Sequence, residues 1–267
     1  LIFQPMSLAI DLSGKRAVVT GVSQGIGAGI ARQLARAGAD VAGCATRPES
    51  DPMAQSFLAA IKSEGRRGFY FPVDVAGPAG PKSLVDHAAQ ALGGIDLLIS
   101  NAGRNVFRGV DACTEQDWKE CIDLDLASHW RLAQAAKPWL DGATRPVVIL
   151  ISSNHAYSTL PGCFPYNVAK AGMNALVQSL ALEWGPAVRA VGIAPGFIDT
   201  PGNDQWFNSF PDPAAKRAAV EAGHPAGRIG APDEIGAFCA FLASDHARFI
   251  SGSTLLVDGG HSAKMGW

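Results

Sequence analysis

The sequence predicts a single α/β domain: a doubly wound parallel sheet with helices on both faces. Three observations carry that expectation. Short apolar or β-branched runs alternate with longer, helix-length segments along the chain, the pattern of right-handed βαβ units. The runs are almost continuous in apolar residues, as in Ala17-Val18-Val19 and Val147-Val148-Ile149-Leu150-Ile151, which is expected where helices cover both faces of a sheet. With 267 residues, 48% of them hydrophobic and 17% charged, the chain can fill a sizeable core and lacks the polarity of a disordered one.

Taken in order, strands are expected over residues 15–20, 40–46, 67–73, 95–100, 145–152, 187–193 and 253–257. Helices are expected over 25–37, 53–63, 81–92, 115–140, 165–184 and 232–242. Residues 1–11 read as an N-terminal extension, with the first five standing ahead of a natural start at Met6, and 12–267 as the domain. One segment breaks the rhythm. Residues 197–233 hold Pro201, Pro211, Pro213, Pro225 and Pro232, with Trp206, Phe207 and Phe210 among polar neighbours. A loop of that length without secondary structure is uncommon unless functional. It reads as a substrate lid or as an ordered insertion packed on a neighbouring subunit.

Charge and cysteine usage narrow the class. The chain carries 22 basic and 24 acidic residues with no long basic block, which argues against a nucleic-acid partner. No window approaches the ~18 uninterrupted apolar residues of a membrane span. The five cysteines form no C-x-x-C pair, so neither a disulfide framework nor a metal site is expected, and a reducing, cytoplasmic setting is.

Two motifs carry chemistry. Gly21-Val22-Ser23-Gln24-Gly25-Ile26-Gly27 lies between the first strand and the first helix. Its glycines allow a sharp turn and close approach to a ligand, and the helix N-terminus offers free N–H groups to a pyrophosphate. The same residues contain G-x-S-x-G, the spacing of a hydrolase nucleophile elbow. In that alternative Ser23 is a nucleophile served by His224 or His261. An elbow on the first strand, however, has no earlier strand to complete its oxyanion hole, and Gly27 goes unexplained. The second motif is Tyr166-Asn167-Val168-Ala169-Lys170. Residues i and i+4 share a helix face. A free tyrosine ionises near pH ~10, and an adjacent ammonium favours the phenolate, so Tyr166 is a candidate proton carrier. Ser152-Ser153 ends a strand shortly before it and offers a hydroxyl to orient a carbonyl or alcohol oxygen.

Gly21-x-x-x-Gly25-x-Gly27, Asn101-Ala102-Gly103, Ser153, Tyr166-x-x-x-Lys170 and Pro195-Gly196 stand in order and at the spacing of the short-chain dehydrogenase/reductase family. The resemblance spans residues 12–260. It implies a Rossmann-type sheet of about seven strands, a nicotinamide cofactor, a small-molecule alcohol or carbonyl substrate, and a homotetramer or homodimer. By this resemblance Tyr166 is the acid/base, Ser153 positions the substrate oxygen, and Lys170 binds the nicotinamide ribose and lowers the Tyr166 pKa. Cofactor contacts are implied at Gly21, Ser23, Gln24, Gly25, Ile26 and Gly27. Asp74 and Val75 resemble the adenine contact, and Asn101, Ala102 and Gly103 the turn that walls the cofactor. Pro195, Gly196, Ile198 and Thr200 resemble the stretch beside the nicotinamide and phosphates.

Two positions depart from the family pattern. Asp125 stands where the family usually has an Asn whose main-chain carbonyl holds a water linked to Lys170; any residue supplies that carbonyl, but Asp125 adds a charge. Ser100-Asn101 replaces a pair of asparagines. Cofactor choice is read at the end of the second strand, where NAD enzymes place an acid for the ribose 2′-OH. Gly43-Cys44-Ala45-Thr46-Arg47 has none, and Thr46 with Arg47 suits a 2′-phosphate. NADP is therefore expected over NAD, although Gln24 replaces the basic residue that many NADP-using members carry.

For the substrate, the polar residues Asn105, Asn154, His155 and Asn203, with Trp206 as a stacking wall, point to a sugar or polyol. Residues 200–206 faintly resemble the lid of sugar 1-dehydrogenases in this family. The alternative is a reductase of 3-ketoacyl thioesters or small ketones, which the apolar stretch 160–164 suits. A catalytically silent nucleotide-binding scaffold is a further alternative, hinted at by Asp125 alone. His129, His155 and Asp123 are expected to be satisfied structural polar groups. Phe249, Ile250 and Trp267 invite a subunit interface.

Overall fold

The computed structural model describes residues 9–264; the residues ahead of Met6, Met6 itself and Trp267 lie outside them. Seven strands form one parallel sheet: β1 (Arg16–Thr20), β2 (Asp40–Ala45), β3 (Gly68–Pro72), β4 (Leu97–Ser100), β5 (Val147–Ile151), β6 (Arg189–Pro195) and β7 (Thr254–Val257). Their order is β3-β2-β1-β4-β5-β6-β7. Winding reverses between β1 and β4, which pair in parallel with Val19 opposite Ile99. A doubly wound sheet binds ligands in the crevice beyond its strand C-termini at such a switch point.

Alternate side chains of each strand enter opposite layers. Val19, Ile99 and Ile149 face Ile30 and Leu34 of α1 (Gly25–Arg36) and Ile235 of α9 (Pro232–Ala243). Val18, Leu98 and Val148 face Leu84 of α3 (Gly80–Leu92), Leu132 of α5 (Ser128–Asp141) and Val177 of α6 (Tyr166–Trp184). On the first face, α2 (Pro52–Ser63) begins at Asp51, whose side chain accepts from Met53 N. On the second, α4 (Glu115–Ile122) begins with a capping box between Thr114 and Asp117.

Two sequence expectations change. The single helix expected over 115–140 is α4 and α5 joined by a π-helical turn, Asp123–Ala127. Ser128 Oγ, at the start of α5, donates back to Leu124 O in this turn at 2.6 Å. A π-turn shifts the facing of the helix locally and recurs at functional sites; here it turns Asp125 fully inward. The second change concerns 197–233, which is not structureless. It contains α7 (Pro201–Phe207) and α8 (Pro213–Ala222), each capped by the preceding side chain, Thr200 and Asp212. Pro201 and Pro213 open these helices, a position where proline's missing N–H costs nothing. The excursion is stitched at its base, where Asp199 N donates to Gly230 O at 2.8 Å and Gly230 N to Phe197 O at 3.0 Å.

Candidate active site

The crevice above β1 and β4 is built for close approach. At Gly27 an added Cβ would stand 2.1 Å from Gly21 O and 2.6 Å from Asn101 Nδ2, so no side chain fits. Asn101 Nδ2 donates to Thr20 O, and Asn101 N and Ala102 N both donate to Thr20 Oγ1, each at 2.9 Å. This ties the Asn101-Ala102-Gly103 turn to the end of β1. The first turn of α1 holds no acid, and Gln24 makes no side-chain cap, leaving N–H groups and a positive dipole end for an anion. The Thr200 methyl lies beside Gly25, where an added Cβ would stand 3.2 Å from it, and the Thr200 hydroxyl caps α7. The excursion thus starts against the glycine loop. Ser23 and Ile26 lie in the same loop, Val75 is buried after β3, and Asp74 Oδ1 accepts from Ala76 N at 2.9 Å. A dinucleotide's pyrophosphate fits the residues present.

At the end of β2, Thr46 and Arg47 are exposed, and Arg47 Nη1 donates to Asp51 Oδ2 at 2.9 Å. Two nearby acids are engaged, while Glu49 is exposed. Asp40 pairs with Arg67 at 2.7 Å, and Asp51 caps α2.

Ser153, Tyr166 and Lys170 converge beyond β5 and are all buried. Ser153 follows the strand and accepts from His155 N at 3.2 Å. Tyr166 opens α6, and one turn later Lys170 Nζ stands 5.5 Å from the Tyr166 ring centroid. Lys170 Nζ donates to Ile151 O at 3.3 Å and lies 3.5 Å from Asp125 Oδ1. Asp125 Oδ1 also accepts from Arg104 N at 3.1 Å. Gly103 makes room for this pair, since an added Cβ would stand 2.6 Å from Asp125 Oδ1 and 3.3 Å from Lys170 Nζ. Burial pushes the Tyr166 hydroxyl above its ordinary value; Lys170 pulls it down, Asp125 pushes it up, and Ser153 favours the phenolate. Burial likewise raises Asp125, against the pull of Lys170 and the Arg104 N–H.

On the outer side of Tyr166, Phe107 meets its ring edge-on at 5.3 Å and His155 at 5.9 Å. Burial, then His261, lowers the His155 pKa, so this wall is neutral at pH 7. His155 Nδ1 lies 3.0 Å from Thr159 Oγ1, and Asn154 Oδ1 accepts from Ser153 Oγ at 3.4 Å. Asn105 is exposed two residues before Phe107. In the excursion, Asn203 Nδ2 donates to Ile198 O at 2.6 Å, which uses one N–H of that amide within its own turn. Trp206 joins Phe197, Phe207 and Phe210 in an aromatic cluster.

Several expectations are corrected or extended. The cavity beside Ser23 is lined by Val22, Ala28, Arg32, Met53, Ser56, Phe57, Ala60 and Ile61, with no histidine or carboxylate. His224 instead bonds Val220 O at 2.8 Å and packs on His261, so the Ser23 hydrolase arrangement is not assembled. His129 is only half satisfied: Nδ1 lies 2.6 Å from Ser100 Oγ, while Nε2 is buried without a partner. Asp123 is ion-paired with Lys119 and Arg131, as a structural group. Sequence reasoning passed over Thr20 and Phe107. Thr20's signal was a hydroxyl closing an apolar strand, whereas Phe107's place against Tyr166 depends on its bridge to Pro165 and had none.

A dinucleotide crevice at the switch point, followed by a buried Ser, Tyr and Lys, defines an oxidoreductase of the nicotinamide class. The chain belongs to the short-chain dehydrogenase/reductase family. The family model described as enoyl-(acyl carrier protein) reductase matches residues 21–262. A 3β-hydroxysteroid dehydrogenase of Eggerthella lenta is 36% identical over 96% of this chain and 97% of its own length. Carveol dehydrogenase of Mycobacterium avium, solved with NAD, superposes with a TM-score of 0.88 at 28% identity, over 95% of this chain and 99% of that one. Aldohexose dehydrogenase of Thermoplasma acidophilum superposes at 0.86 with 29% identity, over 96% and 97%. The protein is an NAD(P)-dependent oxidoreductase of that family.

Proposed function

We propose that this enzyme interconverts an apolar, ring-bearing secondary alcohol and its ketone with NADP, using Tyr166 as the proton carrier. The observation that carries the substrate class is the wall of Tyr166, where Phe107 and a neutral His155 present ring faces and edges. Relatives named for a hydroxysteroid and for carveol agree with it. The nicotinamide, when bound, supplies or takes the hydride. Ser153 Oγ holds the substrate oxygen, a preorganised donor of the kind that carries a large share of catalysis. Tyr166 Oη gives that oxygen its proton in reduction and takes it back in oxidation. Lys170, fixed by Ile151 O and Asp125, presents its ammonium to the ribose and to the phenolate.

The preference for NADP rests on Thr46 and Arg47 at the end of β2 and on the pairing of Asp40 and Asp51 with arginines. Residues 197–233 act as the lid, rooted beside the glycine loop at Thr200. A sugar or polyol is the second reading, supported by the likeness to aldohexose dehydrogenase and by Asn105 and Asn154 at the mouth. Exposed Phe249, Trp130, Trp139 and Leu182 support a homo-oligomer, which sedimentation would measure.

The test is initial-rate turnover with NADP(H) or NAD(H) against alicyclic ketones and alcohols, aldoses and polyols, and acyl ketones. NADP-linked turnover of the alicyclic pair, lost in Tyr166→Phe, is expected. Turnover of aldoses alone would replace the substrate class with the second reading. Full activity in Tyr166→Phe would refute the mechanism.

A further inference from the structure

Asp125 is fully buried, yet it is not a neutral wedge in the helix. Its Oδ1 accepts from Arg104 N at 3.1 Å and stands 3.5 Å from Lys170 Nζ. The turn that delivers it is the π-helical break between α4 and α5, and the space it occupies exists because residue 103 is glycine. Every other charged or titratable group around it is accounted for. The Arg104 guanidinium pairs outward with Glu120 at 2.8 Å. The Cys121 thiol, one turn earlier, is pushed up to about 12 by burial and then by Asp125. His129, one turn later, is held neutral by burial, with Lys170 adding to the effect. Tyr166 and Lys170 complete the set.

We infer that Asp125 is a positioning residue that neutralises Lys170 and thereby holds Tyr166 in its protonated, proton-donating form at neutral pH, so that oxidation, which needs the phenolate, sets in at higher pH. The argument is one of charge. Beside an unpaired Lys170 ammonium, ionising Tyr166 would create a neutral buried pair. With Asp125 already balancing that ammonium, the phenolate would add a net negative charge to the interior. A like charge nearby disfavours ionisation, and in a low-dielectric interior it is weakly screened. Reduction needs the phenol and oxidation needs the phenolate, so the same carboxylate moves the pH range of each direction upward.

The inference rests on Tyr166 being the proton carrier, and its test separates the two. The chain has three tyrosines, Tyr70, Tyr157 and Tyr166, so the phenolate absorbance of Tyr166 is isolated by subtracting Tyr166→Phe, without any substrate. In Asp125→Asn the amide oxygen still accepts from Arg104 N and from Lys170. The Tyr166 phenolate is expected about one pH unit lower than in the native enzyme. The pH profile of kcat for oxidation should move with it, the KM for cofactor staying put. Asp125→Ser, a smaller neutral side chain, provides a second variant should the amide disturb folding. Coincident Tyr166 titrations in the native enzyme and in a folded neutral variant would overturn the inference while leaving Tyr166 as proton carrier. Full turnover in Tyr166→Phe would instead remove the reading beneath it.

Discussion

Lys170→Met keeps the length and apolar stem of the side chain and deletes its ammonium, so it isolates the electrostatics of the buried pair. In the native site the Asp125 side chain is 0% and the Lys170 side chain 4% exposed. Removing one member of a buried pair costs about 3–5 kcal/mol, because the other charge is left uncompensated. For a chain of this size, at about 2–4 °C per kcal/mol, the melting temperature should fall by roughly 6–20 °C. The loss should depend on pH. Burial already raises Asp125, and without Lys170 its main opposing pull is gone, so the folded state keeps a proton that the unfolded state releases. Stability then falls as pH rises from the ordinary carboxylate range toward the raised value. The deficit relative to the native protein is therefore small in mild acid and full at neutral pH and above. Urea midpoints of native, Lys170→Met and Lys170→Met/Asp125→Asn proteins at acid and neutral pH measure this, and the double variant should recover most of the loss. A deficit of equal size at both pH values, or no recovery in the double variant, would refute the ion-pair argument.

The remaining expectations are simpler. Ser153→Ala should lower kcat by about 10²–10³-fold with cofactor affinity intact, the cost of one oxyanion donor, as read by steady-state kinetics and NADPH fluorescence titration. Arg47→Ser should weaken NADPH binding by roughly 10- to 100-fold, the worth of hydrogen bonds to a charged group, while NADH binding stays unchanged. An equal loss for both cofactors would place Arg47 outside the discrimination. Gly27→Ala puts a Cβ 2.1 Å from Gly21 O, so overpacking should cost about 1–3 kcal/mol and calorimetry with either cofactor should show no binding.

The sheet was legible because its information is local: each strand is an apolar run, and the helices between the strands have enough length and punctuation to be placed, those of 197–233 excepted. The cofactor loop and the Tyr166–Lys170 pair were legible for the same reason, since both are short motifs on elements that were themselves predictable. What escaped depended on packing. The π-turn at Asp123–Ala127 does not show in a pattern that reads as one helix from 115 to 140, because no Gly or Pro at 122–128 marks the break. The helices at Pro201 and Pro213 were hidden by prolines whose meaning depends on whether a capping side chain precedes them, and Thr200 and Asp212 do so. The lid's polar residues do not by themselves choose between a sugar and an apolar substrate, because composition does not say which of their groups bond their own backbone, as one N–H of Asn203 does.

Asp125 shows how these two kinds of information combine. From the sequence it is a departure at one position, of uncertain sign, since the main-chain carbonyl there is indifferent to the side chain. The structure supplies what decides the sign: a helix break that turns the carboxylate inward, a glycine that leaves room for it, and an ammonium 3.5 Å away. A buried carboxylate without that ammonium would be expelled or protonated. A buried ammonium without the carboxylate would draw the Tyr166 proton off at lower pH. Each charge is thus tolerable because of the other, and the catalytic phenol sits in the field of both. The electrostatic setting of Tyr166 therefore depends on residue 125 as much as on Lys170, the one helical turn away.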